Sequence, residues 1–172
     1  MHVMTSENSG VAVVRSGGEY TIVASRPFAT GSRLFEVNGE ITGVPTRYSV
    51  QIGPDSHIDL PDRYGTEEVM DRFFWRFTNH SCEPNVRLDG RQFFALRPIE
   101  RWQEITFHYG TTEYEMAEPF DCRCGSAQCE GRISGFRHLS AQSRRRLRPL
   151  LAEHLLPHLA DEAVRDGYVL HR

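Results

Sequence analysis

Hydrophobic and polar positions alternate in short runs along most of the chain, with turn residues recurring at roughly eight- to twelve-residue intervals, the signature of a mainly β protein. The run VAVVRSGGEYTIVAS (11–25) predicts two strands around a turn at Gly17-Gly18. In ATGSRLFEVNGEIT, turns at Thr30-Gly31 and Asn38-Gly39 bracket a strand through Leu34, Phe35 and Val37. YSVQIGPDSHIDL predicts a hairpin turning at Gly53-Pro54-Asp55, and VRLDGRQFFALRPI predicts another at Asp89-Gly90. EITFHY reads as a further strand. The first helical pattern is GTEEVMDRFFWRFTNHS, where Val69, Phe73 and Phe77 recur at helical spacing behind an acidic start. From residue 137 onward the pattern turns helical. Leu139, Leu147, Leu150, Leu151 and Leu155 form an apolar stripe, Pro149 and Pro157 break it, and Gly167 predicts a stop. No strand–helix–strand rhythm and no repeat is present.

Composition changes this picture little. With 172 residues, 39% hydrophobic and 25% charged, the chain suits one globular domain with an appendage. A net charge of −3 gives no reason to expect direct nucleic-acid or membrane binding through bulk charge. The segment MHVMTSENSG lacks the apolar core of a signal peptide, and LLAEHLL is interrupted by Glu153 and His154, so a cytoplasmic location is expected. All 20 Lys+Arg residues are arginine. Codon usage accounts for this more simply than avoidance of self-modification by an enzyme acting on lysine.

The cysteines change it more. Cys122, Cys124 and Cys129 gather in DCRCGSAQC, and Cys82 stands apart in TNHSCEPN. A Cys-x-Cys pair is strained as a disulfide but suits two thiolates on one ion, with Gly125 supplying a flexible backbone. Three ligands in one loop leave a fourth place, and Cys82 is the remaining cysteine. Arg123 and Arg132 are near enough in sequence to offset the excess thiolate charge. The alternative is four buried apolar thiols. A metal clamp would draw residues 120–136 onto the segment around Asn79 and His80.

RFTNHSCEPN, then EITFHYG, then FDCRCGSAQCEGRI together resemble the SET domain of protein lysine methyltransferases with its zinc-binding post-SET segment. The resemblance covers about residues 11–136. It implies several small β-sheets and a C-terminal strand threaded beneath a loop as a pseudoknot. Its boundaries are expected at 11–117 for the SET domain, 118–136 for the post-SET segment and 137–172 for a helical tail bracing the domain.

The resemblance also assigns residues. Asn79 and His80 would hold S-adenosylmethionine, the first by its side chain and the second largely through its backbone. Tyr20, Phe120 and Phe136 would complete the cofactor site, the two phenylalanines covering the adenine. Tyr109 would be the catalytic tyrosine, with Phe107 and Val37 along the lysine channel. Arg76 and Glu104 would pair to brace the site. Cys82, Cys122, Cys124 and Cys129 would bind one structural zinc per chain. The chain departs from the family where Glu19 and Thr21 replace glycines of a cofactor-contacting turn, where Val37 replaces a usual tyrosine, and in the connector LPDRYGTEEVMDRFFW.

The implied reaction is in-line methyl transfer from a sulfonium to the side-chain amine of lysine in a protein or peptide. Free lysine titrates at about 10.4, so its amine must be neutralised; an apolar channel and the nearby sulfonium both lower that value, and no dedicated carboxylate base is required. Phe107 offers no hydroxyl to hold the amine or a water, so transfer beyond monomethylation is expected. The same fold acting on a small-molecule acceptor, or a zinc-stabilised binding module without catalysis, are the alternatives.

Overall fold

The computed structural model describes residues 3–6 and 9–159. The expected Gly167 stop, and the tail beyond residue 159, lie outside the described residues. Five small sheets carry the fold. β1 (Val3–Ser6), β2 (Val11–Ser16) and β3 (Glu19–Ala24) form an antiparallel meander. Its β2–β3 hairpin turns at Gly17 and Gly18, both at positive φ, as Gly-Gly predicts. β1 comes from the polar opening segment, whose composition gave no strand signal.

β4 (Arg33–Glu36) pairs with β10 (Gln92–Ala95), which pairs with β9 (Val86–Asp89). Because Gln92 lies opposite Asp89, the turn residues are Gly90 and Arg91, one position later than expected. β6 (Val50–Gly53) and β7 (Ser56–Asp59) form the expected hairpin, with β5 (Glu40–Thr42) on the other edge of β7. The predicted helix is shorter than its pattern: α1 spans Thr66–Arg72, and Phe74–Phe77 tighten into a 3-10 turn. The core joins Val11, Ile22, Leu34, Phe35, Ile58, Val86, Phe93, Ile99 and Ile105, contributed by several sheets.

The segment around Glu104–Tyr109 fixes the site. EITFHY yields only the two-residue β11 (Thr106–Phe107), which runs parallel to β8 (Asn79–His80). On one side the Ile105 N–H donates to the Ile22 carbonyl at 2.9 Å. On the other, the N–H groups of Ser81 and Asn85 donate to the carbonyls of Phe107 and Thr106 at 3.0 and 3.1 Å. The Asn85 side chain fastens the crossing, accepting from the Thr106 N–H at 2.9 Å and donating to the Glu104 carbonyl at 2.7 Å. A strand held on both sides beneath the 81–85 loop is the threaded arrangement the resemblance implied. β12 (Phe120–Asp121) and β13 (Arg132–Ile133) then carry the cysteine loop, and α2 (Ala141–Leu147) packs behind it.

Candidate active site

Two cavities meet at Tyr109. The larger, about 950 Å³, runs past Tyr20, Asn79, His80, Glu104 and Phe120 to the cysteine loop. The smaller, about 70 Å³, is walled by Trp75, Thr78, Phe107 and Glu113. Arg47, Tyr48, Arg76, Tyr109 and Met116 line both, so they form the wall the cavities share.

The floor of the larger cavity is β8. Asn79 directs its amide toward β3, donating to Glu104 Oε1 at 3.0 Å and to the Tyr20 carbonyl at 3.5 Å. Thr21 also donates to Glu104 Oε1, so that carboxylate gathers the donors of two strands. His80 commits both ring nitrogens to protein partners. Nδ1 accepts the Tyr109 N–H at 3.2 Å, and Nε2 lies 3.3 Å from Cys82 Sγ. With Nδ1 accepting, the proton of the neutral ring sits on Nε2 and points at sulfur. Burial first, then the neighbouring His108, pulls the His80 pKa down to about 3, so the ring is neutral at pH 7. The Phe120 ring stands 5.8 Å from His80 and 5.9 Å from Tyr109, closing the cavity's side.

At the junction, the Tyr109 hydroxyl donates to the Thr78 carbonyl at 3.0 Å. Burial, reinforced by the carboxylates of Glu113 and Glu104, raises its pKa well above the usual phenol range, so it stays a neutral donor. Phe107 is buried, 4.8 Å from Tyr109 and 5.2 Å from Phe93 between ring centroids, and presents only carbon to the smaller cavity. Glu113, a carboxylate that no motif singles out, lines the same cavity. Its Oε1 accepts the Gln51 N–H at 2.7 Å, and Gln51 returns the contact by accepting from the Tyr114 N–H at 2.8 Å. Burial lifts its pKa to about 7 against the pull of the Gln51 N–H and the Thr112 hydroxyl.

The four cysteines come together. Their sulfurs all lie within 4.8 Å of one another, with Cys82 and Cys122 at 3.9 Å. Cys82 is fully buried, and burial pushes its thiol far up, so a nearby dication is what would hold it as thiolate. Four sulfur donors gathered in this way suit zinc. Backbone N–H groups of Glu130 and Gly131 point at Cys82 Sγ and Cys129 Sγ at 3.3 and 3.5 Å. The expected offset from Arg132 is not made, because Asp121 engages that guanidinium at 2.9 Å. The cation beside the cluster is Arg146 on α2, which donates to the Cys82 carbonyl at 3.0 Å and to Glu130 at 2.7 Å. Part of the arginine run read as a solvated face therefore ties α2 to the cysteine loop.

Three expected roles are not met. Val37 is fully buried and absent from both cavity walls; its N–H pairs with the Arg91 carbonyl, and an aliphatic side chain there belongs to the core. Phe136 is equally buried and lines neither cavity. Gly135, at φ 105°, turns the chain so that Phe136 packs against Tyr114, His158 and the Arg144 guanidinium. A Cβ at Gly135 would come 2.7 Å from the Tyr114 carbonyl oxygen, so glycine is required for that turn. Arg76 and Glu104 do not pair. Arg76 reaches Asp59 at 3.5 Å and stacks 4.4 Å over Tyr48, while Glu104 is taken by Asn79 and Thr21.

Residues 19–110 match the family model described as SET domain. Methyltransferase flvH of Aspergillus flavus is 32% identical over 136 residues, which cover 75% of this chain and 70% of that protein. A histone-lysine N-methyltransferase, H3 lysine-4 specific, from Emericella nidulans is 34% identical over 99 residues, 52% of this chain but 8% of that protein. Among solved structures, KRYPTONITE in complex with mCHG DNA and SAH is similar with a TM-score of 0.53 and 26% identity, over 70% of this chain and 28% of that one.

Proposed function

The chain belongs to the SET domain family, and from that premise we propose that it transfers the methyl group of S-adenosylmethionine to the side-chain amine of lysine in a protein or peptide. The observation that carries this is the junction at Tyr109 between a large polar cleft and a small aromatic cavity. A methyl donor in one and an amine in the other would meet at that phenol. Asn79, Tyr20 and Phe120 would hold the donor, with His80 contributing its backbone, since its side chain is committed to Cys82 and Tyr109. The Tyr109 hydroxyl and Thr78 carbonyl would orient the amine, and positioning supplies most of the rate. Relatives named for histone-lysine methyl transfer and a neighbour solved with SAH support the donor and the acceptor class.

Zinc on Cys82, Cys122, Cys124 and Cys129 would supply a cross-link, holding the 120–136 segment and Phe120 over the cleft. Because Phe107 offers no hydroxyl to the cavity, transfer continues past the first methyl. The test is incubation with methyl-labelled S-adenosylmethionine and a pool of single-lysine peptides, with mass spectra locating the label. Label on the lysine Nε supports the reading, and no label overturns it.

A small-molecule acceptor is the second reading. Two guanidiniums, Arg47 and Arg76, line the acceptor cavity, and they suit an amine carrying its own carboxylate better than a strongly basic peptide. Labelling of free L-lysine in preference to the peptides would favour it.

A further inference from the structure

A lysine entering the smaller cavity is a cation until it reacts, and the cavity presents it with two fixed cations, Arg47 and Arg76. Glu113 is the only carboxylate among the described residues lining it. Its side chain is positioned rather than free, since Oε1 is held by the Gln51 N–H at 2.7 Å and the Thr112 hydroxyl at 3.3 Å. The other oxygen, Oε2, faces His57 Nε2 across 3.9 Å, beyond hydrogen-bonding distance. Burial keeps His57 neutral at pH 7, so it gives Glu113 no counter-cation. The remaining groups facing this carboxylate are the neutral Tyr109 phenol, His154 behind the Thr112 carbonyl at 2.7 Å, and the two guanidiniums, of which Arg76 is engaged by Asp59 and Arg47 faces Glu118. A buried carboxylate on the wall of the smaller cavity, with one oxygen outside hydrogen-bonding distance of any described partner, can accept a cation.

Although the resemblance calls for no dedicated carboxylate base, we infer that in this chain Glu113 is a catalytic residue that binds the acceptor ammonium through Oε2 and removes its proton before methyl transfer. This rests on the lysine reading proposed above. The ammonium N–H bond breaks and its proton passes to the Glu113 carboxylate, leaving a neutral amine and a carboxylic acid. The amine lone pair then forms the new N–CH3 bond. The electron pair of the breaking S–CH3 bond stays on sulfur, which becomes a neutral thioether. The product leaves as a methylammonium, and the proton on Glu113 returns to solvent. A carboxyl titrating at about 7 suits both halves of the exchange, because the acid re-ionises at neutral pH after each turnover.

The experiment is a pH profile of kcat/KM from 6 to 9.5 for the full chain and Glu113→Gln, with methyl-labelled S-adenosylmethionine and the single-lysine peptide pool. Wild type should rise through a titration near 7 and then level. Glu113→Gln should be about 100-fold slower at pH 7. Its rate should climb about tenfold per pH unit as the amine deprotonates in solution, so the gap narrows toward pH 9.5. A purely structural Glu113 would lower the rate equally at every pH, because glutamine keeps the oxygen that Gln51 uses. Parallel profiles therefore overturn the inference, as does a variant within threefold of wild type at pH 7. Should Glu113→Gln fail to fold, a wild-type profile with no titration near 7 overturns it equally. No transfer by wild type to any peptide overturns the lysine reading itself, which is a different failure.

Discussion

A buried carboxylate placed for catalysis carries a cost in the resting protein, and Glu113 makes that cost measurable. Its pKa rises from 4.5 to about 7 on folding because burial disfavours its charge. Each pKa unit corresponds to about 1.36 kcal/mol, so the ionised side chain destabilises the fold by about 3 kcal/mol. The sign follows from proton binding. Between pH 4.5 and 7 the folded state keeps a proton that the unfolded state has released. Stability therefore falls as pH rises through that window, and the full cost is present above pH 7. Glu113→Gln removes the charge but keeps an oxygen for the Gln51 N–H at 2.7 Å. At pH 8 the variant should be more stable than wild type by about 3 kcal/mol, and at pH 4.5 about equal. Paired urea titrations at the two pH values give the difference. Taking it variant against wild type cancels His80 and His108, whose lowered pKa values push stability the opposite way with pH, while His57, 3.9 Å from Glu113, stays coupled to the substitution. A variant whose stability tracks wild type at both pH values would refute the burial argument. Gaining stability while losing turnover is the signature of a group kept for function.

Three further outcomes follow from the site. Cys82→Ser should lose metal by elemental analysis about as completely as Cys124→Ser, and weaken donor binding before the body unfolds; a zinc-free wild type with full activity would contradict this. Asn79→Ala should weaken S-adenosylmethionine binding about tenfold in calorimetry, because the amide that fixes Glu104 and the Tyr20 carbonyl is lost; unchanged affinity would remove Asn79 from the donor site. Phe107→Tyr places a hydroxyl on the cavity wall and should shift the product toward monomethyl-lysine in time-resolved mass spectra, with the first transfer largely intact; a wild type that stops at one methyl would contradict the role given to this ring.

The hairpins were legible because their signals are local. Gly17-Gly18 needs no distant partner to turn, and Gly90 failed by one position only because register is set across the strands. The cysteine cluster was legible because cysteine declares its chemistry by residue type, even across the gap between Cys82 and Cys122. Asn79, His80 and Tyr109 stand out through a resemblance spanning three motifs, and the structure brings all three to one cavity. What was not legible depends on burial and on competition for partners. Glu113, in TTEYE, looks like a solvated loop charge until Gln51, sixty-two residues earlier, closes over it. Phe136 and Val37 looked like walls of the site, and only packing reveals them as core. Arg76 and Glu104 each had a nearer partner, which no spacing in the sequence discloses. Arg146 lay hidden in an arginine run whose members differ only in the face α2 turns inward.

The most direct test of methyl transfer at the Tyr109 junction is a comparison of wild type with Tyr109→Phe. S-adenosylmethionine affinity is measured by calorimetry, and single-turnover transfer of labelled methyl to the peptide pool is followed in the same preparations. The substitution removes one hydroxyl, bonded to the Thr78 carbonyl at 3.0 Å, and leaves the ring that lines both cavities. Donor affinity should stay within about threefold while transfer slows by about 100-fold or more, since the lost group acts on the orientation of the reacting amine. Transfer at the wild-type rate by Tyr109→Phe, with donor affinity intact, would contradict the account.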